Sequence, residues 1–300
     1  MKRALVLLAA LLAAVAAVHG SQATFTASAL NAASTFTTAS DYIAPTVTLT
    51  APAAGSSTNS TTPTLSGAAG NATGDATTVT VKIYSGSSAT GTPIQTKTPT
   101  RAGATWTTTA STLTAGTYTA QATQTDTGGN TGTSTANTFT VDTTKPTATR
   151  IVATNKTGGT AGKIESGDTI TFTYSEAIDP ASVLSGWNGA SIGVRVHFTN
   201  SASADTVSIL TSGPGTIATL GSVATKGDFV SATSDVVSTM VRSADGASVI
   251  ITLGTPSTAQ ATPVTAKNMV WTLGAGIADL AGNTITTPAT WTETDNDVDF

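Results

Sequence analysis

Cysteine is absent from the 300-residue chain, and histidine occurs only twice. Without cysteine the protein can form no disulfides or zinc–thiolate sites, and no thiol can act as a nucleophile. Only His197 lies outside the first 20 residues, and its alternation with Val196 and Phe198 predicts that its side chain faces solvent. Because a hydrolytic triad needs an imidazole beside its nucleophile, we predict that the protein is not an enzyme.

Charged residues are scarce as well, at 10% of the chain against about 25% in an average soluble protein. The 13 Lys and Arg residues are scattered and the net charge is −4, whereas binding to nucleic acid needs clustered cations. Thr, Ser, Ala and 28 Gly replace the charged residues. Thr is β-branched and suits the exposed face of a strand. The composition therefore predicts a β-rich protein that does not bind nucleic acid.

The N-terminus has the layout of a secretory signal. Lys2 and Arg3 precede an apolar run over residues 4–18, and small residues follow at Gly20 and Ser21. The run is shorter than the roughly 20 residues that cross a bilayer, so residues 1–20 are predicted to be a cleaved signal peptide. We expect a mature chain without a membrane span. It lacks an apolar C-terminal tail, so we expect it to be secreted or held non-covalently at the bacterial surface.

Residues 21–44 form an N-terminal extension rich in Thr, Ala and Ser that is too short to fold alone. Two interpretations of this extension stay open. It is either a spacer ahead of Pro45, or a strand that pairs with another domain or subunit by β-addition.

Residues 45–146 read as short apolar strands separated by turn signals. Val79, Val81 and Ile83 alternate with polar residues, and Trp106 and Tyr118 are the expected core aromatics. About seven strands in roughly 100 residues, with no helical period, predict an Ig-like β-sandwich.

Three segments of this region carry a family resemblance. The opening PTVTLTAPAAGSSTNSTTPTLSGAA, the hairpin GTYTAQATQTDTGGN and the exit FTVDTTKP occur in this order. Together they resemble the bacterial Ig-like repeats of large adhesins and other surface proteins. The resemblance covers residues 45–146 and implies a sandwich that serves as a spacer or adhesive module, usually in tandem.

Residues 147–300 show a second β pattern, in which Ile170, Phe172 and Tyr174 share one face of a strand. The segments GDTITFTYSEAIDPASV and GAGIADLAGN resemble the Ig-like domains of S-layer and related surface proteins. The middle, at about residues 201–248, is longer than such a domain needs and predicts extra strands or an inserted loop. The predicted fold class is thus all-β, with two tandem Ig-like β-sandwich domains after a cleaved signal peptide.

Two acidic residues that lie three positions apart are candidates for catalysis. Glu176 and Asp179 could act as the paired carboxylates of a glycosidase. The interpretation that we favour is structural, with Asp179 capping the turn at Pro180.

Calcium is the one cofactor that the sequence gives reason to consider. Asp126, Asn130 and Asp142 supply oxygens near the end of the first predicted domain, and Asp279 and Asn283 repeat the D-x-x-G-N spacing in the second. Extracellular modules bind calcium through such oxygens, and the family resemblance implies calcium at domain junctions. The interpretation that we favour is a plain turn without a metal, because Asp and Asn also favour turns by bonding their own backbone.

The leading functional hypothesis is a non-catalytic structural or adhesive module that contacts a cell-surface protein or polysaccharide and is either an extended monomer or weakly self-associating. One alternative is a carbohydrate-binding module whose aromatic platform would come from Trp187, Trp271 or Trp291. The other is a fibre subunit in which residues 21–44 complete a neighbour's sheet by β-strand addition.

Overall fold

A computed structural model describes residues 43–213, 215–260, 262, 264–286, 289–294 and 300. The predicted signal peptide, residues 21–42 of the extension and the acidic run at 295–299 lie outside the described residues. The described part of the chain is nearly all β, with 17 strands and one four-residue helix, α1 (Pro180–Val183). No helix in the described ranges has the length and apolarity to cross a membrane.

Eight strands build the first sandwich. They are β1 (Ser57–Thr58), β2 (Thr64–Ala68), β3 (Asp75–Ser85), β4 (Gln95–Lys97), β5 (Thr105–Thr109), β6 (Gly116–Asp126), β7 (Thr131–Thr133) and β8 (Asn137–Val141). The larger sheet has the order β1-β8-β6-β3-β4, and β7 pairs with β6 beyond the end of β8. β2 and β5 form the second, smaller sheet, which residues 48–51 extend by backbone hydrogen bonds to β2.

The two predicted aromatic anchors of this sandwich are confirmed. Trp106 is buried between the sheets, and its indole N–H donates to the carbonyl oxygens of Thr48 (3.1 Å) and Ala68 (3.0 Å). The Tyr118 hydroxyl donates to the Thr114 carbonyl oxygen at 2.9 Å. A buried tyrosine at the start of a long strand, bonded back to the preceding loop, is the tyrosine corner of Ig-like sandwiches.

Nine further strands form one continuous antiparallel sheet. They are β9 (Ala148–Thr154), β10 (Thr169–Tyr174), β11 (Ile192–Thr199), β12 (Thr206–Thr211), β13 (Ser222–Ala224), β14 (Ser234–Arg242), β15 (Ser248–Thr252), β16 (Val270–Thr272) and β17 (Thr290–Thr292). Their order is β17-β16-β13-β12-β11-β14-β15-β10-β9.

This sheet folds over itself to enclose the second core. The ring of Trp271 on β16 packs edge-on against Phe172 and Tyr174 on β10, with centroid distances of 5.0 and 5.4 Å. Strands that are distant in the sheet order thus meet face to face. Each sandwich has its own core of buried side chains, and the two cores share no residue.

The middle of the second region is part of the sheet. β12, β13 and β14 lie within residues 201–248 and occupy interior positions of the sheet. The loop before β12 is fixed by Asp205, which is fully buried and accepts hydrogen bonds from the backbone N–H groups of Ser201, Phe229 and Val230. Of the two alternatives left open for this segment, extra strands or an inserted loop, the structure has strands.

Candidate functional site

The second D-x-x-G-N turn follows β16 and is held by its own aspartate. The Oδ1 atom of Asp279 accepts the backbone N–H groups of Ala281 and Asn283, each at 2.8 Å. The Nδ2 group of Asn283 donates to Asp279 Oδ2 at 2.7 Å. The Asp279 carboxylate thus accepts hydrogen bonds from both the backbone and the side chain of Asn283, and these local bonds close the turn.

The same turn contacts the first sandwich. Asn283 Nδ2 also donates to the carbonyl oxygen of Asp142, at 2.9 Å, and the backbone N–H of Asn59 donates to the Ala281 carbonyl oxygen at 3.0 Å. The turn therefore lies at the junction of the two sandwiches. The Asn283 side chain bonds both Asp142, just after the last strand of the first sandwich, and Asp279 in its own turn.

The first D-x-x-G-N turn joins β6 and β7 and has the same internal bonds. Asp126 Oδ1 accepts the backbone N–H of Asn130 at 2.8 Å, and Asp126 Oδ2 accepts the Asn130 Nδ2 group at 2.7 Å. The side-chain bond from Asn130 holds the pKa of Asp126 below its ordinary value, with further help from backbone N–H groups of the turn. Both predicted turns are thus present with the predicted local chemistry.

The structure separates the three residues that we grouped for calcium. Val141, next to Asp142, pairs with Gly116 at the start of β6, whereas Asp126 is the last residue of that strand. Ten residues of strand at about 3.3 Å each place Asp126 and Asp142 about 30 Å apart. Because of this spacing, one ion cannot bind Asp126, Asn130 and Asp142 together, so the grouping was wrong. The pairing register of β6 and β8 sets the distance between Asp126 and Asp142, and the spacing of these residues in the sequence does not reveal that distance.

Asp142 instead meets two acidic residues of the second sandwich. Three carboxylate oxygens lie within 4.8 Å of one another, one each from Asp142, Glu176 and Asp279. Burial raises the pKa of Glu176, and the negative charges of Asp142 and Asp279 and a hydrogen bond with Asp142 raise it further. The three carboxyl groups therefore repel one another at neutral pH unless a proton or a cation lies between them.

The geometry of this acidic group fits a calcium ion better than the first turn does. Two oxygens that each lie at about 2.4 Å from one calcium ion can be at most about 4.8 Å apart, which the three oxygens satisfy. Within the described residues, Asp126 of the first turn belongs to no such group of three. Calcium binding itself stays a prediction, and the structure moves it to Asp142, Glu176 and Asp279. Glu176 was missed as a partner because it is distant from both turns in sequence.

Asp179 has the structural role that we favoured. Its Oδ1 atom accepts the backbone N–H of Ala181 at 3.0 Å and caps helix α1, which begins at Pro180. A carboxylate at the N-cap followed by proline is a frequent helix start.

His197 lies on the outer face of β11, as the alternation predicted, and its side chain is 33% exposed. Its Nδ1 atom is 2.6 Å from Asp235 Oδ1 on the neighbouring strand β14, and Arg195 pairs with the other oxygen of Asp235. Ser208 is the cross-strand neighbour of His197 on β12, yet no hydrogen bond joins these two side chains among the described contacts. The three side chains form a hydrogen-bonded row on the surface of the sheet, with an ion pair between Arg195 and Asp235.

The predicted aromatic platform is not formed. Trp187 and Trp271 are buried, and their indole N–H groups donate to the carbonyl oxygens of Ala190 (2.6 Å) and Leu220 (2.7 Å). Trp291 is partly buried against the second core. The prediction that Trp187 or Trp271 stacks on a sugar is therefore wrong, because Trp271 faces inward from β16 and Trp187, in the loop after α1, packs into the same core.

No curated protein sequence matches the chain. Among solved structures, the chain is similar to dimeric latent PorU from Porphyromonas gingivalis, with 13% identity, a TM-score of 0.26, and 85% of this chain and 20% of PorU covered. It therefore spans about a fifth of the PorU chain. It is also similar to the fibronectin(III)-like modules of Clostridium thermocellum CbhA, with 16% identity, a TM-score of 0.28, and coverage of 70% and 93%. TM-scores this low carry no information on function.

Residues 44–143 match the model of the family described as bacterial Ig-like domain. The sequence predicted this resemblance for residues 45–146. The matched segment begins one residue earlier and ends three residues earlier. The S-layer-type resemblance of residues 147–300 stays a prediction. The first sandwich is thus similar in sequence to the bacterial Ig-like domain family, and its fold has the tyrosine corner of such sandwiches.

Proposed function

We propose that the protein works outside the bacterial cell as a non-catalytic structural and adhesive module built from two Ig-like sandwiches. The observation that carries this proposal is the match of residues 44–143 to the bacterial Ig-like domain family. The secretory layout of residues 1–20 supports export. A non-catalytic role is supported by the lack of a hydrogen bond between His197 and a serine or threonine hydroxyl among the described contacts.

The junction supports a spacer role in this proposal. Only residues 142–147 separate β8 from β9, and this short connection is flanked by the hydrogen bonds that Asn59 and Asn283 make across it. Lys145 Nζ adds a bond to Thr286 Oγ1 at 3.4 Å. A short connection with direct bonds on both sides holds the two modules at a defined angle, which suits a protein that presents a binding surface at a distance.

The experiment that tests the proposal is fractionation of the producing cells. We expect the mature chain, beginning near Ser21, in the medium or in a salt wash of intact cells. An uncleaved chain in the cytoplasm would overturn the extracellular role. Hydrolysis of cell-wall glycan or peptide by the purified protein would overturn the non-catalytic part separately.

Adhesion needs its own measurement. Purified protein should bind intact cells or extracted surface polymer in a saturable manner, and unlabelled protein should compete. A full-length chain that binds neither cells nor polymer would leave only the spacer function.

A further inference from the structure

One edge of the smaller sheet in the first sandwich, the outer edge of β5, pairs with no described strand. The backbone N–H of Ala69 donates to the Ala104 carbonyl oxygen at 2.9 Å, so the residue just before β5 bonds toward β2. Backbone groups of successive strand residues point alternately to the two sides of the strand. Those of Thr107 and Thr109 therefore point away from β2, and within the described residues no hydrogen bond reaches them from that side.

The other edges of this sandwich are protected. β4 has three residues, and its Lys97 donates from Nζ to Ser111 Oγ at 2.8 Å. At the opposite edge of the smaller sheet, Asn137 Nδ2 donates to the Leu49 carbonyl oxygen at 3.0 Å. β1 has only two residues. Short edge strands and edge lysines are the usual means by which proteins prevent unwanted strand pairing.

The second sandwich leaves no comparable edge within the described ranges. β9 and β17 are the two ends of its sheet, and they lie close to each other. β5 differs from all these edges because its five residues are four threonines and one tryptophan, without a charge. Residues of these types favour strands, and an uncharged open edge is a template for another strand.

The N-terminal extension has a sequence that suits this edge. Residues 21–40 contain no charged residue, no proline and no glycine. Thr-Phe-Thr occurs there twice, at residues 24–26 and 35–37, and β5 itself contains Thr-Trp-Thr at residues 105–107. A further threonine, Thr38, follows the second occurrence. This second Thr-Phe-Thr segment thus has the composition of a strand that can pair with β5.

The position of residues 48–51 favours pairing between two chains over pairing within one. These residues lie beside β2 on the side opposite to β5, so three strand spacings, about 14 Å, separate them from a strand added to β5. Within one chain, residues 39–45 would have to cross the end of the sheet almost fully extended, because six residue steps span at most about 20 Å. Elements that follow each other in sequence also usually lie side by side. A strand from a second chain meets neither constraint.

We propose that residues 33–39 of one chain add as a strand to the free edge of β5 in a second chain. The backbone groups of Thr107 and Thr109 exchange hydrogen bonds with the added strand, which is the recognition mode of β-strand addition. Each chain carries one donor segment and one acceptor edge, so the contact is head-to-tail and produces open oligomers. The inference goes beyond the proposed structural and adhesive function, because it gives the protein a partner, a second copy of itself.

The test is sedimentation of the full mature chain over a range of concentrations. We expect the average mass of the wild type to rise with concentration. Thr107→Pro removes the acceptor N–H but no bond to β2, and prolines at both Thr35 and Thr38 remove a donor N–H in either register. Each change should weaken association about fivefold or more, as expected for the loss of one backbone hydrogen bond. Ala54→Pro is the matched control and should associate like the wild type, because Ala54 precedes Gly55 (φ +76°) in a turn that accepts proline.

Mixing the two deficient proteins tests the head-to-tail arrangement directly. Thr107→Pro keeps its donor segment, and the Thr35→Pro, Thr38→Pro variant keeps its acceptor edge. An equimolar mixture should therefore form dimers and no longer oligomers, whereas each variant alone stays monomeric.

Four results would overturn the proposal. A wild type that is monomeric at every concentration excludes pairing between chains, and if both variants then melt at a lower temperature, the extension pairs within its own chain. Association of the Thr35→Pro, Thr38→Pro variant at wild-type strength would show that β5 pairs with another surface, such as a second β5. Association of Thr107→Pro at wild-type strength would place the acceptor elsewhere. A mixture that remains monomeric would contradict the complementary contact.

Melting curves of the variants show whether each one is folded. Sedimentation of purified protein is independent of cell fractionation, so failure of the strand addition and failure of the extracellular function can be told apart.

Discussion

Replacing Asn283 with alanine tests whether one side chain fixes the angle between the two sandwiches. Asn283 is 8% exposed, and its Nδ2 group donates to Asp279 within its own turn and to the Asp142 carbonyl oxygen of the other sandwich. Asn130→Ala is a matched control because it removes the equivalent bond to Asp126 in the first turn and makes no change at the junction.

The magnitude follows from the two bonds that are lost. A hydrogen bond to a charged group contributes about 1.5–3 kcal/mol and a bond to a carbonyl about 0.5–1.5 kcal/mol. We expect Asn283→Ala to lower the free energy of unfolding of the second sandwich by about 2–4 kcal/mol. The bond to Asp142 alone, at about 1 kcal/mol, would raise the population of an opened joint about fivefold.

The absence of native cysteine makes the assay direct. Ser87→Cys and Val237→Cys place one spin label on an exposed site of each sandwich, and pulsed electron resonance then reports the distribution of distances between them. We expect a narrow distribution in the parent chain and in Asn130→Ala, and a broader one in Asn283→Ala. Equal widths in all three proteins would refute the idea that the Asn283–Asp142 bond fixes the joint.

The remaining predictions concern the acidic group and the two cores. Because the folded-state pKa of Glu176 is raised, the folded protein holds this proton more tightly than the unfolded chain; the stabilisation is complete below the ordinary carboxyl pKa and is lost as the pH rises through the folded value. Glu176→Gln should therefore melt at a higher temperature than wild type at pH 7 without calcium and match it in acid; a lower midpoint at pH 7 would contradict the repulsion. Calcium should raise the melting midpoint of wild type and of Asp126→Asn, but not that of Asp142→Asn, and a chelator should reverse the shift; no shift in wild type would remove the metal prediction. Trp271→Ala should cost about 3–5 kcal/mol and unfold residues 147–300 while residues 45–146 still melt as before; one cooperative transition in calorimetry would show that the two domains do not fold independently. Tyr118→Phe should cost about 1 kcal/mol in urea unfolding, because it removes the bond to Thr114 and no packing; an unchanged midpoint would show that this bond contributes no net stability.

Local chemistry was predictable where neighbours in sequence are neighbours in space. Alternation of apolar residues identified the buried faces of β10 and β11, and Pro180 with Asp179 identified a helix cap. The D-x-x-G-N turns were also found, because Asp and Asn close such turns through bonds over four residues.

Long-range pairing was not predictable in the same way. The acidic group at the junction takes Asp142 from the first sandwich and Glu176 and Asp279 from the second, and Asp235 reaches His197 from a strand 38 residues away. Trp187 and Trp271 have the residue type of a sugar platform, and only the folded structure shows that both side chains are buried in the core.

The sequence by itself determined the all-β class of this protein, since short apolar alternations with β-branched residues between turn signals indicate strands and no segment has a helical period. It determined each turn as well, because those bonds are local. The tertiary structure alone decided which carboxylates meet, because strand register sets distances of tens of ångströms that residue spacing does not encode. It also decided that Trp271 meets Phe172 and Tyr174, since that contact depends on how a nine-stranded sheet folds over its own core.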